Sequence, residues 1–108
     1  MTLEQAQQKV DQWITTYGGG YFSELTNLGV LMEEVGELSR WIVRHYGDQS
    51  FKPSEKDQDV QAALKDEMAD VLWVLLCLSN QMNIDLTAAL NANFEKKTLR
   101  DKDRHHRE

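Results

Sequence analysis

The stretches LMEEVGELSRW (31–41) and LKDEMADVLWV (64–74) decide how this chain is read. Leu31, Val35, Leu38 and Ile42 recur every three or four residues, the period of a helix with one apolar stripe. Leu64, Met68, Val71 and Leu75 repeat the pattern. Two carboxylates three residues apart stand beside each stripe, Glu34 with Glu37 and Glu67 with Asp70. On a helix such a pair shares a face. An acid at the edge of an apolar stripe is costly without a partner, and four brought together repel one another. A divalent cation is the simplest remedy, so the four acids predict a metal site built from hard oxygen ligands.

Moving the first helix along the chain by 33 residues lays Glu34 on Glu67, Glu37 on Asp70, Gly36 on Ala69 and Ile42 on Leu75. At about 100° per residue, with Leu31 and Leu64 as zero, Glu34 and Glu67 both lie near about −60°. Glu37 and Asp70 lie near about −120°, and Glu33 and Asp66 near about 200°. The last two face away and are expected to be solvated. If the two helices pack antiparallel, the inner pairs meet across the bundle. The small residues Gly36 and Ala69 are read as making room for close helix packing, since an interior Gly costs about 1 kcal/mol against Ala.

The flanking sequence fills in two more helices. Thr2 and Gln5 form a capping box for a helix from Leu3 to about Tyr17, with Leu3, Ala6, Val10, Trp13, Ile14 and Tyr17 on one stripe. Gly18-Gly19-Gly20 ends it. The second helix starts between Glu24 and Leu28 and stops before Gly47. Pro53 and Ser54 precede a third helix from about Glu55 to Met82, whose polar first turns are expected to fray. Between Val71 and Leu78 this helix is apolar all round, which predicts enclosure by several neighbours or by another subunit. Asp85 caps a fourth helix, Leu86 to about Leu99, with Leu86, Leu90 and Phe94 turned inward. The expectation is an all-α, four-helix domain over residues 1–100, followed by a charged, mobile tail at 101–108.

With 108 residues there is room for one domain and a modest core. A net charge of −6 argues against a nucleic-acid polymer as partner, although a metal can reverse the field locally for a small phosphorylated ligand. The single cysteine, Cys77, lies in the apolar run and reads as a small buried hydrophobe. The start of the chain does not resemble a signal peptide, and the run Val71–Leu78 is too short to span a bilayer. These features predict a cytoplasmic protein with no membrane partner. No Glu-x-x-His follows either acidic pair, and His45, His105 and His106 lie elsewhere, so magnesium is favoured, with manganese as the substitute.

These residues carry a resemblance. From about Trp13 to Arg100 the chain resembles the MazG-type all-α nucleoside triphosphate pyrophosphohydrolases, a superfamily with the dimeric dUTPases and dCTP pyrophosphatases. The match rests on Glu34-x-x-Glu37 followed by Glu67-x-x-Asp70. The resemblance implies that these four acids bind magnesium. It also implies cleavage of a (d)NTP between its α- and β-phosphates, in nucleotide-pool cleansing or homeostasis. Glu34 or Glu37 is the choice for orienting the attacking water. The basic end of the fourth helix resembles the family's last helix, making Lys96, Lys97 and Arg100, with Asn93, the candidates for holding phosphates; an ordinary basic helix C-terminus is the plainer reading. Trp41 is a candidate for the base site, as are Trp13, Tyr17, Phe22, Asn27 and Trp73; aromatics at helical spacing also serve as core. Trp73 lies opposite the acids and is assigned to an interface. Dimers or tetramers are expected, with a neighbour completing the site. The rival readings are a non-catalytic helical dimerisation module and a hydrolase of another pyrophosphate-containing substrate.

Overall fold

Capping chemistry sets the helix boundaries in the computed structural model, which describes residues 1–55, 59–102 and 104. Helix α1, Leu3–Thr16, begins with the expected capping box between Thr2 and Gln5. It ends where Gly18 and Gly20 donate back to the carbonyls of Trp13 and Ile14. Gly19 and Gly20 turn the chain with φ of 74° and 103°, a region where a side chain is strained. Helix α2, Glu24–Tyr46, starts at Ser23, whose hydroxyl accepts from the Thr26 amide, and stops at Gly47.

Helix α3 differs from the sequence expectation. It runs Val60–Gln81, with Asp59 as its cap, rather than from Glu55. Pro53–Glu55 form a separate 3-10 turn, because the Glu55 carboxylate is engaged by the Arg40 guanidinium and by the Lys52 amide. The expected fraying turns fall partly on Lys56–Gln58, outside the described residues. Helix α4, Leu86–Asp101, is capped by Asp85, which accepts from the Thr87 and Ala88 amides. It extends two residues past the expected end. Most of the tail expected to be mobile, including His105 and His106, also lies outside the described residues. There is no strand among the described residues.

Helices α2 and α3 make the main packing, and α1 lies against α3. Both pairs are antiparallel. Asn27, near the start of α2, bonds Gln81 at the end of α3, and Gln7, near the start of α1, bonds Ser79 and Asn80. Val10, Leu76 and Cys77 form the core, ringed by Ala6, Ile14, Tyr21 and Leu86. Cys77 is a buried hydrophobe as expected.

Helix α4 departs from the expected bundle. It turns 102° away from α3 and is held at its first turn, where Gln7 Oε1 accepts from the Leu86 amide. Leu86 packs on the core, but Leu90 and Phe94 are exposed rather than turned inward. Leu72 and Leu75 are also exposed, so the apolar run of α3 is only partly enclosed by its own chain. The radius of gyration is 17.6 Å, against about 13 Å for a compact domain of this length. No single helix among the described residues is long and apolar enough to cross a membrane.

Candidate active site

The antiparallel contact of α2 with α3 brings the acidic motifs together. Carboxylate oxygens of Glu34, Glu67 and Asp70 lie within 4.8 Å of one another. Glu67 Oε2 is screened from solvent and has no hydrogen-bond partner. Among the described residues it is the one buried side-chain oxygen or nitrogen so placed. Such an orphan costs about 1–3 kcal/mol, and more when charged. Burial, then the charges of Asp70 and Glu37, hold Glu34 above the usual carboxylate range. Burial, then Asp70 and Glu34, do the same to Glu67. Glu37 lies outside the group of three and is exposed, yet its charge acts on both. Glu33 and Asp66 are exposed, as the wheel predicted. An oxygen-only cluster with one oxygen buried and unpartnered fits a divalent cation.

Gly36 does not serve packing within the chain. A Cβ there would meet nothing within 4 Å, so the expectation of close helix approach fails at this position.

A cavity of about 280 Å³ begins one helical turn from the acids. Val30 precedes Glu34 by one turn on α2, and Trp73 and Val74 follow Asp70 by one turn on α3. Trp13, Phe22, Asn27 and Tyr21 close the rest. Four of the residues named from sequence as base-site candidates, Trp13, Phe22, Asn27 and Trp73, thus border one space. Trp73 stands edge-on to Trp13, with ring centres 5.3 Å apart, so its place is the cavity wall and not only an outer interface. Tyr17 is exposed outside the cavity. Trp41 is buried elsewhere, its ring tilted against Phe51 with the Arg40 guanidinium over it.

The residues expected to hold phosphates are not assembled with the acids. Asn93, Lys96, Lys97 and Arg100 are exposed along α4. Arg100 forks onto Asp101, with Nε and Nη2 each donating at 2.8 Å. The charges that act on Glu34 and Glu67 are carboxylates.

Sequence reading missed the polar frame behind the cavity. The Tyr21 hydroxyl donates to Asp11 at 2.7 Å and accepts from Asn80 at 3.1 Å. Burial and Asp11 push it up to about 12. Gln81 joins Asn27 to the Phe22 carbonyl. No spacing signal links these residues, since the bonds cross up to 59 positions.

An all-α domain with a carboxylate cluster beside an aromatic cavity has the donor set to hold a divalent cation next to a small ligand. Residues 22–105 match the family model of the MazG nucleotide pyrophosphohydrolase domain, and the chain belongs to that family. It is accordingly an enzyme of the nucleotide pyrophosphohydrolase class. It is 39% identical over 103 residues to the uncharacterized protein YpjD of Bacillus subtilis (strain 168), covering 95% of this chain and 89% of that protein. The uncharacterized protein YvdC of the same strain is 30% identical, covering 93% and 96%. The crystal structure of a Bacillus-conserved MazG protein, a nucleotide pyrophosphohydrolase, superposes with a TM-score of 0.76 at 38% identity, covering 96% of this chain and 97% of that one.

Proposed function

We propose that the protein hydrolyses a ribo- or deoxyribonucleoside triphosphate between the α- and β-phosphates, releasing the monophosphate and pyrophosphate. Water is added across the bridging oxygen bond, so the products carry its proton and hydroxyl between them. The observation that carries this reading is the buried, unpartnered Glu67 Oε2 in a three-carboxylate group one turn from an aromatic cavity. Glu34, Glu67 and Asp70 would hold magnesium, or manganese in its place, with Glu37 at the margin. The ion, when bound, neutralises triphosphate charge and makes water a better nucleophile. Glu34 and Glu37 are the residues to orient that water. The flat, apolar cavity walls suit a base, with the triphosphate lying toward the acids.

Self-association, as a dimer or tetramer, belongs to the same reading. Leu72, Leu75, Leu90 and Phe94 leave apolar surface open, which supports a partner copy. That arrangement offers Asn93, Lys96, Lys97 and Arg100 a route to a neighbour's triphosphate. The setting is the cytoplasmic nucleotide pool.

A panel of (d)NTPs with magnesium, read for monophosphate and pyrophosphate, tests the reaction. Glu37→Gln and Asp70→Asn should abolish turnover with helicity unchanged. Orthophosphate as first product, or full activity in Asp70→Asn, would sink the assignment.

A further inference from the structure

We infer that Asn27 reads the base, and that it selects bases carrying an exocyclic amino group over those with a carbonyl oxygen at the same position. This rests on the proposed nucleotide reaction and assigns the specificity of its cavity.

Asn27 is 5% exposed and borders the aromatic cavity. An amide can be turned two ways, and its neighbours decide which. Gln81 Nε2 donates to the Phe22 carbonyl at 2.5 Å and to Glu24 Oε1 at 3.3 Å. Both partners are acceptors, so this end of Gln81 is the nitrogen. Gln81 Oε1 is then the atom 2.7 Å from Asn27, and Asn27 must meet it with its Nδ2 donor. Asn27 Oδ1 is left as an acceptor pointing elsewhere. It has no partner among the described residues, yet it is not a buried orphan, since Glu67 Oε2 alone has that status. Oδ1 therefore opens onto free volume, and the volume Asn27 borders is the cavity.

The position suits a base edge. Asn27 precedes Glu34 by seven residues, about 10 Å along the axis and on nearly the same face. That is the span from a base edge to the phosphates of a nucleotide. A fixed acceptor accepts from an amino N–H. It meets a carbonyl oxygen with repulsion and leaves both acceptors desolvated. Turning the amide to offer Nδ2 instead breaks the bond to Gln81 and sets two oxygens against each other.

The test uses two pairs that differ at this group and in the proton on the adjoining ring nitrogen, dCTP with dUTP and dATP with dITP. kcat/KM is measured by pyrophosphate release. Affinity for the non-hydrolysable α,β-imido forms is measured by quenching of the Trp13 and Trp73 fluorescence. The amino member should be favoured about tenfold or more within each pair. In Gln81→Met the Asn27 amide is free to turn, and the ratio should fall toward one because the oxo member improves. A merely structural role for Gln81 would weaken both members alike. Equal constants within the pairs, or preference for the oxo member, overturn the inference even if turnover is robust. Absence of turnover with discrimination intact in binding would instead refute the proposed reaction and leave the reading of Asn27 standing.

Discussion

Replacing Glu67 by Gln should stabilise the metal-free protein and at the same time remove its response to magnesium. Glu67 takes part in two of the three carboxylate pairs held within 4.8 Å. Two unit charges at that distance repel by about 1 kcal/mol even at the dielectric of water, and by about 3 kcal/mol at an effective value of 20. Loss of one charge therefore relieves at least about 2 kcal/mol at low salt. The neutral amide also removes a charged oxygen that is buried without a partner. For a domain of this size about 2 kcal/mol corresponds to a rise in Tm of about 8 °C or more. The assay is thermal unfolding by circular dichroism at pH 8, at one protein concentration, with chelator and then with 10-fold steps of magnesium. The wild type should gain stability with each step as the ion binds the folded state. Glu67→Gln should start higher and gain little, so the two curves cross. A variant less stable than wild type in chelator, or one stabilised equally by magnesium, would refute the claim that these acids are a strained cation site.

Other consequences follow from the same geometry. Glu34 and Glu67 keep their protons to higher pH in the folded state than in the unfolded chain. Their contribution is thus intact below the unfolded carboxylate value and is lost as pH rises through the raised folded values. The stability gap between Glu34→Gln and wild type in chelator should accordingly widen from pH 4 to 8, and a constant gap across denaturant titrations would contradict this. Leu76→Ala, in the core beside Val10 and Cys77, should cost about 2–5 kcal/mol by denaturant unfolding. Phe94→Glu, on the open face of α4, should shift the protein to a smaller species by light scattering, without loss of helicity.

Much of the fold was legible because its signals are local. Caps at Thr2, Asp85 and Gly47 and the three-to-four spacing of apolar residues act within a few residues of the chain. The start of α3 was misplaced because the competing partner of Glu55, Arg40, lies on another element. The path of α4 was misread for a related reason. A stripe of Leu86, Leu90 and Phe94 records that a surface wants covering, not which surface covers it. At Gly36 small size does not mark a close neighbour, since a Cβ there would meet nothing within 4 Å.

The sequence by itself determined four helices and the family, and residue type with helical period placed Glu34, Glu37, Glu67 and Asp70 beside apolar stripes. Tertiary structure alone decided that Glu34, Glu67 and Asp70 converge while Glu37 stands at their margin, and that one Glu67 oxygen lacks a partner. It alone gathered Trp13, Phe22, Asn27 and Trp73 around a cavity and joined the Asn27 amide to Gln81. Periodicity reports which way a side chain leaves its own helix. Which atoms it meets depends on the antiparallel register of α2 on α3, which residues far apart in the chain set together.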